Sequence, residues 1–206
     1  MFDLPPPDPA IELSVATRGY SKGIAQTEGP QLLVRPELQL GPALLSVYAK
    51  NVTSPTSDGE AGISGGYRFG LAGLDVAATV VVKTLLDPSN GVDATALELI
   101  GGLSRTSGPF SGRLNYFFSP DELGTTRRSH YLEGSGTYGL GRGFSASAGL
   151  GVRRRVASPN YVSYNAGASY KISDQLTADL RWFGNDRSEL GAFFKDRLVG
   201  TLRARF

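Results

Sequence analysis

Few residues in this chain could do covalent chemistry. It has one histidine, His130, and no cysteine. Ser129 precedes the histidine, but a nucleophilic serine needs its base within hydrogen-bond reach and a third group orienting that base. Neighbouring residues on a strand point to opposite faces, so Ser129 and His130 are expected to turn away from each other. No Gly-x-Ser-x-Gly elbow is present, and Gly134-Ser135-Gly136 reads as a place where a strand packs closely or bends. His130 is therefore expected at a loop edge and the chain is expected not to be an enzyme; a lipid-modifying enzyme using His130 is the third reading. With one histidine and no cysteine, metal binding would fall to carboxylate oxygens, which suit calcium. The acidic patches at 87–93 and 121–122 lack an EF-hand pattern and read as solvated loops. Neither metal nor cofactor is expected.

What remains is charge placed for selection. Arg35, Arg68, Lys83, Arg113, Arg153, Arg181 and Arg203 recur at positions that alternate with apolar residues, and so do Glu37, Asp75, Glu98, Glu133 and Asp179. Basic groups outnumber acidic ones in this set. A ring of arginine and lysine around a water-filled passage favours anions. If the opposite charges pair instead, they staple the interior shut. Tyr48, Phe117 and Phe183 fall on the same side and could narrow a passage.

The elements that position these charges are strands. Leu32, Val34, Leu38 and Leu40 alternate with Leu33, Arg35, Glu37 and Gln39. Phe144, Ala146, Ala148, Leu150 and Val152 alternate with Ser145, Ser147, Gly149, Gly151 and Arg153. Period-two alternation gives one greasy face and one polar face. The strands run to about ten residues or more, the length a tilted strand needs to cross a bilayer, whereas sandwich strands are usually about five or six. Connections also alternate in length. Short turns at 41–42, 71–73, 105–108, 139–143 and 173–175 interleave with mostly longer polar stretches at 23–29, 53–60, 86–93, 119–129, 157–160 and 185–192. Short turns on one side and loops on the other imply a closed antiparallel transmembrane β-barrel of about twelve strands, with an even count returning both termini to the periplasmic side. Closure also removes unpaired strand edges, which lipid cannot hydrate.

Aromatics are expected at the two interfaces: Phe69, Phe110, Phe144, Tyr170 and Phe206 at the turn side, and Tyr116, Phe118, Tyr161, Trp182 and Phe194 at the loop side. Residues 1–10 read as a proline-rich periplasmic lead-in whose prolines stay out of the ladder, and 11–206 as one barrel domain. Met1 reads as a start placed on an already mature chain. No apolar run reaches the ~20 residues of a membrane helix. A net charge of +2 without a basic, aromatic-interleaved stripe excludes nucleic acid as a partner.

Two stretches carry resemblances. The last strand ends Leu202-Arg203-Ala204-Arg205-Phe206, and its alternate apolar residues, Leu202 and Phe206 above all, resemble the signal read by the barrel-assembly machinery. Tyr20-Ser21-Lys22-Gly23-Ile24-Ala25-Gln26-Thr27-Glu28-Gly29-Pro30 resembles the Tyr-x-x-Arg-Gly-x-Ser-Gln-Thr-x-x-x-Pro stretch of the TorF-type porins, a family of small Gram-negative outer-membrane proteins. Lys22 stands where that pattern has arginine and Ala25 where it has serine. Val47-Tyr48-Ala49-Lys50-Asn51-Val52 resembles a strand end of the same family. The resemblance covers about the first quarter of the chain and implies a porin-like protein of the outer membrane, with lipid around it. The expected function is passive diffusion of small, anionic solutes through a charged lumen. The competing expectation is a non-conducting structural or adhesive barrel whose loops bind a partner.

Overall fold

The structure, a computed structural model, describes residues 6–54, 57–124 and 126–206. Twelve strands close into one antiparallel barrel: β1 (Asp8–Ala16), β4 (Gln31–Leu40), β5 (Ala43–Ser54), β6 (Ser57–Leu71), β7 (Leu74–Leu86), β8 (Thr95–Ser107), β9 (Phe110–Glu122), β10 (Arg127–Gly141), β11 (Phe144–Arg155), β12 (Tyr161–Lys171), β13 (Leu176–Asn185) and β14 (Arg197–Arg205). Each pairs with the next along the chain, and β1 seals the seam against β14, with Glu12 opposite Arg205 and Val15 opposite Leu202. Two further short strands, β2 (Tyr20–Ser21) and β3 (Ile24–Ala25), form a separate hairpin between β1 and β4.

The barrel is inside-out relative to a water-soluble domain. Leu150 is 57% exposed and Leu198 64%, whereas Arg153 is 4% and Glu98 5% exposed. Aliphatic side chains facing outward and charges facing inward are what a barrel in lipid requires, because a basic residue on the lipid face costs about 2–4 kcal/mol near the midplane. The turn-side connections are tight. In Ala72-Gly73 and Arg142-Gly143 both residues have positive φ, as two-residue hairpin turns of type I′ require.

Several expectations change in detail. The lead-in is shorter than 1–10, because β1 begins at Asp8 and Pro9 pairs opposite Leu38. Proline is tolerated there because it sits at the beginning of the strand, where a missing N–H removes little of the ladder; Pro5 lies outside the described residues. Two loops contract: β5 and β6 extend through most of 53–60, and β9 and β10 extend into 119–129. On the turn side Phe69, Phe110, Phe144, Tyr170 and Phe206 are exposed, and Phe144 stacks on Tyr170 at 4.4 Å. On the loop side Tyr116 and Trp182 are exposed, but Tyr161 and Phe194 are no part of a belt. Tyr161 is 1% exposed and packs edge-on against Phe194 inside the barrel.

Candidate functional site

The candidate site is the lumen, and its central feature is the β2–β3 hairpin. The chain leaves β1 and folds back on itself: Gln26 N–H donates to Gly19 O at 2.8 Å and Gly19 N–H to Thr27 Oγ1 at 2.7 Å. Thr27 is fully buried. The hairpin turns at Lys22-Gly23, both with positive φ, again the type I′ requirement. Glycine is needed at 23 for a second reason. A Cβ there would collide with the Ser163 side chain of β12, so the tip presses directly on the wall.

Every side of the hairpin is held. Tyr20 stacks on Phe183 of β13 at 4.4 Å and donates to Lys195 O at 3.1 Å. Tyr161 donates to Lys22 O at 2.7 Å, and Lys22 Nζ lies 5.3 Å from the centre of the Phe117 ring. Across the lumen, Lys50 donates to Gln26 Oε1 at 2.7 Å and Thr53 N–H to Gln26 O at 2.7 Å. The stretch expected as an extended polar loop at 23–29 therefore lies inside the barrel. Its turn chemistry and the inward aromatic residues pull it there.

Lys22 completes a buried ion cluster. Its ammonium pairs with Glu98 and lies 3.4 Å from Glu122. Lys83 pairs with Glu98 at 3.1 Å and lies 3.8 Å from Glu122, which also pairs with Arg153 and accepts from Ser129. Three cations face two carboxylates, and Arg153 Nε has no partner among the described residues. Burial, reinforced by nearby Lys83, pushes the Lys22 ammonium down to about 8 despite its two carboxylates. Glu122 is the main residue that sequence reasoning misplaced. It was expected in a solvated acidic loop with Asp121, but a bulge between Arg127 and Ser129 shifts the register so that Glu122 and Ser119 are both buried. Two-residue parity cannot see a bulge.

A cavity of about 1000 Å³ surrounds the hairpin and continues toward the turn side, lined by seven basic and five acidic residues. Arg35, Arg68, Lys83, Arg153, Glu37, Glu98 and Glu133 are among them. A second cavity of about 260 Å³ lies along β1, β13 and β14, where Arg35, Arg181, Arg203 and Asp179 line it. Arg181 pairs with Asp179 at 3.1 Å and donates to Asn165 and Ser147. Arg203 lies 3.6 Å from Glu12, and Arg205 pairs with Glu37 at 2.7 Å. Arg113 and Asp75 are exposed and line neither cavity. Arg68 and Arg113 have no carboxylate within 4 Å among the described residues. Tyr48 donates to Glu60 Oε1 at 2.7 Å, and Glu60 pairs with Lys50 at 3.1 Å. Glu60 sat in a stretch expected to be loop, and its inward role emerged only when β6 proved longer.

Ser129 and His130 do point to opposite faces. Ser129 is buried against Glu122, while His130 lies on the outer wall with its Nδ1 2.6 Å from Tyr116 Oη.

No family model matches the chain, and no curated protein matches it in sequence, so the likeness to TorF-type porins rests on the stretches quoted above alone. Solved structures do match. The NanC porin superposes with a TM-score of 0.64 at 9% identity, over 95% of this chain and 97% of that one. The KdgM porin in complex with disordered oligogalacturonate gives 0.63 at 10% identity, over 96% and 98%. An outer-membrane channel from Pseudomonas putida F1 gives 0.52 at 12% identity, over 96% and 93%. The chain thus shares the whole-length fold of outer-membrane porins and channels.

Proposed function

We propose that this barrel is an outer-membrane channel for passive diffusion of small anionic solutes, narrowed by the β2–β3 hairpin. The observation that carries the reading is the charge of the lumen: the larger cavity stays open at about 1000 Å³ with basic residues in excess. Cations lining a confined aqueous path attract anions and repel cations. Arg68, free of any carboxylate partner among the described residues, is the side chain best placed to meet a passing anion. Carboxylate-bearing sugars fit this chemistry, and the KdgM porin holds such an oligomer.

Planar-bilayer recording tests the reading. Stepwise currents with an anion-selective reversal potential in a salt gradient are expected, and Arg68→Gln moves that potential toward zero. A silent folded barrel refutes the channel, and a cation preference refutes the charge argument. The competing reading, a closed structural or adhesive barrel, draws support from the hairpin and its ion cluster crossing the loop-side lumen. Silence in the same recording is its expected outcome. Wild-type barrels are expected to insert among outer-membrane lipids after handling by the barrel-assembly machinery, with Leu202 and Phe206 as the recognised residues. Phe206→Ser then slows assembly without changing the conductance of barrels that do fold.

A further inference from the structure

Arg153, Arg154 and Arg155 are consecutive on β11, and the strand splits them. Arg153 turns inward to Glu122, and Arg155 donates twice to Pro159 O at 3.0 and 2.6 Å. Arg154 points outward, on the face that carries Leu150. On β10, buried Ser129 and Tyr131 leave Arg128, His130 and Leu132 on the outer face. The register puts His130 opposite Arg154. Val156 N–H donates to Arg128 O at 3.1 Å, so Arg128 is the diagonal neighbour of Arg154, within reach of a shared ligand for side chains of this length.

This strip of wall is layered. Leu132 and Leu150 lie nearest mid-barrel, 44% and 57% exposed. Next come Tyr116 and Phe118 of β9 around His130, with the Phe118 ring 5.1 Å and the Tyr116 ring 6.1 Å from the imidazole. Arg128 and Arg154 follow at the loop end. Apolar, aromatic, then cationic is the order of chemistry met on leaving a bilayer core for its headgroups. Both guanidinium groups are exposed, and among the described residues neither has a hydrogen-bond or ion-pair partner for its side chain. Guanidinium groups bind phosphate oxygens bidentately, which a lysine cannot do.

We infer that Arg128 and Arg154, with His130 beside them, form a binding site on the outer wall for the phosphorylated headgroup of an outer-leaflet glycolipid of the lipid A type. The inference rests on the outer-membrane reading above, because that reading puts the loop end in the outer leaflet. It is independent of whether the lumen conducts. Bound there, the headgroup offsets the two free cations while its acyl chains cover the leucines below.

Native mass spectrometry of the full folded chain tests this with three probes: bis-phosphorylated lipid A, the same lipid with both phosphates removed, and inorganic phosphate as competitor. The wild type is expected to retain the phosphorylated lipid at least about tenfold better than the stripped one, the equivalent of roughly one charge-assisted hydrogen bond. The double variant Arg128→Gln/Arg154→Gln loses that preference, and equal concentrations of inorganic phosphate do not displace the lipid. Equal retention of the two lipids by the wild type, a preference that survives in the folded double variant, or displacement by inorganic phosphate each overturns the inference. Conductance of the same preparation separates the two readings. A conducting barrel without lipid preference sinks the lipid site alone, and a silent barrel with the preference sinks the channel alone.

Discussion

At the scale of single residues, the decisive group is Glu122. It holds Arg153, receives Ser129 and lies within 4 Å of both Lys22 and Lys83. Replacing it with glutamine leaves three buried cations around the single carboxylate of Glu98. Removing one partner of a buried pair typically costs about 3–5 kcal/mol, because the remaining charge is left uncompensated. Glu122→Gln is therefore expected to lower the denaturant midpoint of the folded barrel by an amount in that range, and Glu122→Gln/Arg153→Met to recover part of it. A wild-type midpoint for the single variant would show that the cluster contributes little. Arg68 is the opposite case. It is exposed in the lumen without a carboxylate partner among the described residues, so Arg68→Gln should change selectivity while stability stays within about 0.5 kcal/mol.

At the scale of elements, the hairpin occupies the loop-side lumen, and in the channel proposed above it is the element that narrows the passage. Gly23 combines positive φ with direct contact on Ser163, so Gly23→Val cannot keep the tip docked. Its expected signature is a larger single-channel conductance than wild type, and an unchanged conductance would argue that the hairpin does not limit flow. The docking also depends on pH. Docked Lys22 releases its proton near 8, whereas an ordinary lysine holds it up to 10.5. Between these values the undocked hairpin binds a proton that the docked one has lost, so docking strengthens as pH rises through this window. Long-lived openings to the higher conductance level should become rarer from pH 8 toward pH 10 in wild type, and this trend should vanish in Lys22→Met. A trend of opposite sign would mean that the ion pairs outweigh burial at Lys22.

At the scale of the whole molecule, stability comes from the bilayer acting on an outward apolar surface. Leu150→Arg puts a guanidinium on that surface near the middle of β11 and is expected to cost about 2–4 kcal/mol in lipid. Ser145→Arg, on the inward parity of the same strand, should cost far less, and unfolding of both variants from vesicles measures the difference. Equal costs would contradict the orientation of β11. The same surface made the barrel legible in the sequence. Leu150, Val152, Gly151 and Arg153 separate cleanly by parity, and the tight turns at 72–73 and 142–143 mark where strands reverse. Boundaries were less legible. Residues 53–60 and 119–129 contain enough polar and glycine residues to look like loops, yet hydrogen bonding to their neighbours carries the strands through most of them.

Alternation and strand length were determined by the sequence itself, because each follows from which residue types alternate along a strand and needs no knowledge of partners. Those features were enough for a closed twelve-stranded barrel. Only the tertiary structure decided what fills the barrel. The hairpin at 20–25 could reach Glu98, Glu122 and Ser163 because closure brings β8, β9 and β12 around it, contacts separated by up to 140 residues along the chain. The bulge that turns Glu122 inward also depends on pairing with β10. Charges expected to line one continuous lumen were thereby divided into a buried cluster that holds the hairpin, smaller ion pairs such as Arg181 with Asp179 and Arg205 with Glu37, and Arg68, which has no carboxylate partner among the described residues.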